Sequence, residues 1–185
     1  MIYQGYLRKM HISPEGDVAQ YQLKLDEQLI SLNEKIGQPI RIEYKGDIKC
    51  QACERKTNKS FAQGYCYPCF SKLAQCDRCI MSPEKCHYDQ GTCRDPKWGE
   101  EFCMQDHVVY LANSSGIKVG ITRHSQIPTR WLDQGAMQAM PIARVATRQL
   151  SGLLEVIFKQ HVADKTNWRT SVSYTHLTLP TKCRV

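Results

Sequence analysis

Nine of the chain's ten cysteines fall between Cys50 and Cys103, most of them in pairs. Cys50, Cys53, Cys66 and Cys69 spell C-x2-C-x12-C-x2-C, and Cys76 with Cys79 makes a third pair. Cys86, Cys93 and Cys103 follow, with His87 and His107 close by. This stretch is poor in aliphatic residues and cannot fold around an ordinary apolar core. Metal ligation has to take the place of hydrophobic burial as its source of folding free energy. Disulfides are the other use of so many cysteines, but the N-terminal MIYQGYLRKM lacks the apolar centre of a signal peptide. No apolar run approaches the ~18 residues of a membrane span. The expected setting is a reducing cytoplasm, where paired cysteines bind metal, with no membrane partner.

Zinc prefers four thiolate or imidazole ligands in a tetrahedron, and two C-x2-C knuckles supply four sulfurs. Cys50, Cys53, Cys66 and Cys69 are therefore expected to hold a structural zinc ion. Residues 70–75 after the second pair can be helical. A knuckle, a hairpin and a second ligand pair at a helix start resembles the treble-clef zinc fold, with the zinc ribbon as near neighbour. A second structural zinc is expected on Cys76, Cys79, Cys86 and Cys93. Cys103, His87 and His107 compete for the same places, and Cys103 can equally be a free buried thiol. Four thiolates close the coordination sphere, which argues for structure and against zinc catalysis.

The cysteine block divides the chain. Residues 1–46 show period-two alternation over 2–7, 19–25, 28–32 and 39–44, with turns at 13–17 and 34–38, and predict a small β-meander. Residues 47–106 are the zinc block, expected to mount its two neighbours so that removing metal frees them from a fixed relation. Residues 107–170 predict a β-β-α-β-α unit. Strands 107–112 and 117–122 flank an Asn-Ser-Ser-Gly turn at 113–116, and Pro128 opens a helix that ends at Gly135. A third strand covers 141–147, and Leu150, Leu153, Leu154, Ile157, Phe158 and His161 mark the apolar face of a second helix. The fold class is α+β.

The final residues 171–185 follow neither period, and Val172 to Leu177 reads as a translated sequencing-library adapter. That stretch, with Cys183, is expected to be non-native, and the natural chain is expected to continue differently after Arg169 or Thr170. Without it the net charge falls from +7 to +5 through loss of Lys182 and Arg184. Residues 1–106 hold 15 basic and 15 acidic side chains, whereas 107–169 hold eight basic against three acidic. The whole positive excess lies beyond the cysteines, where an anionic polymer is expected to bind.

The unit from His107 to Arg169 resembles the GIY-YIG nuclease domain. Val108, Val109 and Tyr110 stand at the first motif element, and Lys118, Val119 and Gly120 at the second, with Thr122 and Arg123 following. Arg130 stands at the arginine of the first helix, Glu155 at the metal-binding glutamate of the second, and Asn167 at the late asparagine. The resemblance implies Mg²⁺ or Mn²⁺ on Glu155, a water oriented or deprotonated by Tyr110, and Arg130 stabilising charge on the phosphate. It also implies phosphate-backbone contacts from Arg123 and Lys118, and Asn167 tying the chain end to the site. The tyrosine of the second element is Lys118 here, and a lysine replaces a phenol's role only with a shifted pKa.

The stretches 64–70, 73–77, 91–94, 110–116, 127–131 and 163–169 further resemble a bacterial family, domain of unknown function 2797, over residues 1–169. These observations lead to a zinc-stabilised, GIY-YIG-like protein acting on DNA or RNA, in its sharpest form a metal-dependent endonuclease. A non-catalytic nucleic-acid binder and a zinc-based protein–protein adaptor are the rivals.

Overall fold

The computed structural model describes residues 1–16, 18–62, 64–114 and 116–162. Asn167 and the segment 171–185 lie outside the described residues. The N-terminal part forms an antiparallel sheet of β1 (His11–Glu15), β2 (Val18–Leu25) and β3 (Gln28–Ser31), in that order. Pro14, expected in a turn, sits in β1 opposite Ala19. An edge strand tolerates a residue without an N–H, so the strand continues to Glu15 and the chain turns at Gly16, with φ +58°. Two expected strands do not form. Residues 2–7 contribute only a bridge from Leu7 to Leu25, and 39–44 has no regular structure, with Ile40, Ile42 and Tyr44 exposed. Alternation supplies a face, but a strand also needs a ladder partner for its backbone.

The cysteine block is built from three short helices, α1 (Tyr67–Lys72), α2 (Arg78–Met81) and α3 (Pro96–Phe102), linked by 3₁₀ turns. Asp77 and Asp95 cap α2 and α3 by accepting backbone N–H groups, and Pro96 opens α3. The C-terminal part runs β4 (His107–Asn113), β5 (Ile117–Arg123), α4 (Thr129–Asp133), β6 (Gln138–Val145) and α5 (Arg148–Phe158). That is the expected β-β-α-β-α order, in an antiparallel sheet with β4 at its centre, between β5 and β6. Trp131 of α4 packs edge-on against Tyr110 of β4 at 6.0 Å. The two share an apolar cluster with Val108, Ala112 and Ala136.

The inward face of α5 departs from expectation. Leu150, Leu153 and Ile157 are exposed, and the buried residues are Ser151 and Gly152. The helix lays these small residues on the 3₁₀ turn Pro83–Lys85. A Cβ at Gly152 would lie 2.6 Å from Pro83 Cβ and 2.7 Å from the Glu84 backbone nitrogen. Close backbone approach, not the apolar stripe, decides which side faces in.

The parts are joined by polar and apolar contacts. The Arg148 N–H donates to the Cys103 carbonyl at 2.8 Å, Arg148 Nη2 to the Ile80 carbonyl at 2.7 Å, and Gln149 Nε2 to the Cys86 carbonyl at 3.1 Å. On the other side Leu132 of α4 joins Ile12, Ala19 and Tyr21 in one apolar cluster, and Lys9 Nζ meets Asp133 at 2.6 Å. The N-terminal sheet thus rests directly on α4, so its relation to the C-terminal unit does not run through the cysteine block alone. No helix of the described residues is long and apolar enough to cross a membrane.

Candidate functional site

The sulfurs of Cys50, Cys53, Cys66 and Cys69 all lie within 4.8 Å of one another. Cys53 Sγ is 3.7 Å from Cys66 Sγ, far beyond a disulfide's ~2.05 Å. It is close to the ~3.8 Å edge of a tetrahedron with ~2.3 Å zinc–sulfur bonds. Local folding brings them there. The first pair sits in a tight turn closed by the Glu54 N–H on the Cys50 carbonyl at 2.9 Å. The second pair opens a helix, with Cys66 as the N-cap of α1 and Cys69 within its first turn. Between them Gly64, at φ +139°, crosses the first turn so closely that a Cβ would lie 2.5 Å from the Gln51 side chain. Only glycine permits that backbone and that approach together.

The electrostatics favour a cation within the four thiols. Burial opposes ionisation of Cys50, but backbone hydrogen bonds from Cys66, Cys53 and Ala52 bring it down to about 6. Hydrogen bonding with Cys66, joined by burial, pushes Cys69 up to about 12. Backbone and side-chain hydrogen bonds from Arg55 lower Cys53. Thiols this close cannot all ionise unless a cation lies among them. Four sulfurs without an oxygen suit a soft, four-coordinate ion, and the cluster is able to hold a structural metal such as zinc.

Of the second expected set, Cys79, Cys86 and Cys93 line one small cavity, and the fourth cysteine there is Cys103. Cys76 is buried and does not line it; the charged groups acting on Cys76 are Arg94 and Cys50. Cys76 ends a 3₁₀ turn, Ala74–Cys76, and Cys79 stands at the start of α2. His87 and Asp77 approach Cys79 within 4.8 Å. His87 Nδ1 is 2.8 Å from Thr92 Oγ1, and the Asp77 carboxylate accepts from Arg94 Nε at 2.9 Å. His107 is fully buried, with Nδ1 2.7 Å from the Gln105 carbonyl, and burial pulls its pKa down.

In the C-terminal unit, Tyr110 lies mid-strand opposite Gly120. A Cβ at Gly120 would come within 2.7 Å of the tyrosine's Cζ and Oη, so this glycine makes room for the phenol. Tyr110 is wholly buried, yet its hydroxyl makes no hydrogen bond among the described residues, and neither does Trp131 Nε1 or Gln134 Oε1. Burial pushes the phenol's pKa up, while Arg130 and Gln134, near the hydroxyl but outside hydrogen-bonding geometry, act to lower it. The Glu155 carboxylate adds to the rise. Lys118, paired with Ala112, shares this face of the sheet. It is buried, and desolvation and Arg130 both pull its pKa down. Glu155 is mostly covered and pairs with Lys159 at 3.6 Å. Tyr110, Lys118, Arg130 and Glu155, remote in sequence, thus share one electrostatic neighbourhood. Arg123 is not in it, because an odd position on β5 projects to the opposite face. Its guanidinium sits 4.7 Å over the Phe102 ring.

The family model described as "Protein of unknown function (DUF2797)" matches residues 37–181. The chain belongs to this family. The DUF2797 match takes in the cysteine block and the C-terminal unit, and the N-terminal sheet lies before it. The match also runs into the segment read above as adapter. No curated protein and no solved structure matches the chain.

The sequence reading of this DUF2797 chain missed Gln134, whose carboxamide lies beside the Tyr110 hydroxyl, and Arg148, which joins α5 to the cysteine block. Gln134 carries no sequence signal of its own. Arg148 follows the helix cap Thr147 and could have been noticed as a cation where a helix dipole disfavours one.

Proposed function

We propose that this protein acts on nucleic acid through its C-terminal unit, as a GIY-YIG-like phosphodiesterase braced by structural zinc. The observation that carries it is that Arg130 and Glu155 act on one buried phenol, Tyr110, with Lys118 on the same sheet face and under the same Arg130, on a β-β-α-β-α unit. A mostly covered carboxylate is a hard oxygen donor, and the unpartnered buried atoms of Tyr110, Trp131 and Gln134 suit a site completed by water and ligand. Glu155 would hold Mg²⁺ or Mn²⁺, which when bound supplies Lewis-acid activation of the phosphoryl group.

The residues divide the remaining work. With its pKa pushed up, Tyr110 keeps its proton, so it orients a water by hydrogen bonding and does not act as the base. Arg130 is exposed to solvent and acts on the Tyr110 hydroxyl, so a phosphate bound there meets it, and it offsets charge developing on the phosphoryl oxygens. Lys118 contacts phosphate, and its shift toward the neutral amine is the direction a proton acceptor needs. The positive excess beyond residue 106 draws the polyanion to this part of the chain.

A second reading, a binder that has lost catalysis, draws on the complete burial of Tyr110 and on lysine at the second motif tyrosine. One experiment separates the two. Full-length protein is incubated with labelled DNA and RNA and Mg²⁺ or Mn²⁺, beside Glu155→Ala. Cleavage that falls about 100-fold or more in the variant supports the phosphodiesterase. Salt-sensitive binding without cleavage supports the binder, and no binding at low salt excludes both.

A further inference from the structure

We propose that Cys79, Cys86, Cys93 and Cys103 hold a second structural metal ion of the zinc class, and that Cys76, which the spacing would include, is a buried free thiol. The four sulfurs come from four places: α2, the residue capping the 3₁₀ turn Pro83–Lys85, the approach to α3, and the residue capping α3. All four residues line one cavity of roughly 10 Å³, room for about one ion or one water; their sulfurs are not drawn within 4.8 Å of one another as those of the first cluster are, so ligation closes them onto the ion. Gly99 lets α3 come close enough for this, since a Cβ there would lie 3.4 Å from Cys93 Sγ and 2.9 Å from the Tyr88 ring. Neither apolar cluster of the described residues draws a side chain from this stretch. Hydrophobic burial therefore does not hold these elements together, and ligation does.

Charge balance points the same way. Arg148 is buried against this site, close enough to Cys79 and Cys103 to act on their charges; its Nη2 reaches the Ile80 carbonyl, and its Nε has no hydrogen-bond partner. Four thiolates around a divalent ion carry a net double negative charge, which compensates a buried guanidinium; four neutral thiols do not. Asp77 and His87 also lie near Cys79, but the carboxylate accepts from Arg94 and the Arg78 N–H, and His87, which meets Thr92 through Nδ1, turns Nε2 toward that carboxylate at 3.6 Å. Cys86 and Cys103 give their carbonyls to Gln149 and Arg148, at the start of the helix that carries Glu155. The ion thus sets the base on which α5 stands. This proposal is independent of any catalytic role.

The test counts zinc per chain by native mass spectrometry on the full-length protein after exhaustive desalting. The expected counts are two for wild type, two for Cys76→Ser, two for His87→Ala and one for Cys103→Ser. A wild-type count of one overturns the proposal. So does a drop to one in Cys76→Ser, or in His87→Ala, which would move the site to Asp77, Cys79 and His87. Should Cys103→Ser fail to fold, wild type, Cys76→Ser and His87→Ala keep all four ligands and decide the matter. Cobalt(II) replacement adds a further check: both equivalents must give the intense absorption of tetrahedral thiolate coordination, and a weak, oxygen-type spectrum for the second contradicts the ligand set.

Discussion

Tyr110 is a packing residue to which the proposed function also gives a chemical role. Its ring fills the space above Gly120 and meets Trp131, while its hydroxyl bonds to nothing among the described residues. Removing that oxygen therefore costs no hydrogen bond, and Tyr110→Phe is expected to change stability by less than about 1 kcal/mol in urea denaturation. Nucleolytic turnover should fall sharply in the same variant, and a loss of stability with activity intact would reverse the roles. His107 gives a pH signature. Burial holds its folded-state pKa below the ordinary 6.5, so the unfolded chain takes up a proton first as pH falls. The stability tied to the neutral ring is present above pH ~6.5 and lost as pH drops toward the folded value. The melting midpoint should fall less between about pH 7.5 and 5.5 for His107→Gln than for wild type. The first sulfur cluster was legible at this scale, because two knuckles bring four sulfurs together whatever surrounds them. The lining of the neighbouring cavity was not: packing brings in Cys103, remote from the pairs in sequence, and leaves out Cys76.

At the scale of elements, the β-β-α-β-α order was legible from alternation, a turn and Pro128. The inward face of α5 was not. An apolar stripe is the usual sign of burial, yet here Ser151 and Gly152 face in because they alone allow contact with Pro83 and Glu84. Gly152→Val is accordingly expected to push α5 off the 3₁₀ turn, at a cost of about 1–3 kcal/mol or more, since the obstacle includes backbone. Glu155 moves with the helix, so activity should drop along with the denaturation midpoint. The strands expected at 2–7 and 39–44 failed for the complementary reason. Their side chains alternate correctly, but beyond the Leu7–Leu25 bridge no strand among the described residues offers them a ladder.

At the scale of the molecule, the N-terminal sheet and the cysteine block reach the C-terminal unit by separate routes. The sheet rests on α4 through Leu132, and the block holds α5 through Arg148, Gln149 and Gly152. Metal removal should act on one route only. After chelation, hydrogen exchange should rise through residues 50–103 and at the start of α5, while β2 and α4 keep their protection. Simultaneous loss in all four would mean that the metal organises the whole chain. In the proposed metal-loaded protein, α5 is held where Glu155 meets the Tyr110 neighbourhood. The measurement that bears most directly on this is single-turnover cleavage of labelled single- and double-stranded DNA and RNA by the zinc-loaded chain, with Mg²⁺ or Mn²⁺ added or omitted. Cleavage that requires both the added ion and Glu155 is the predicted result. No cleavage of any substrate, or equal cleavage by Glu155→Ala, would contradict it.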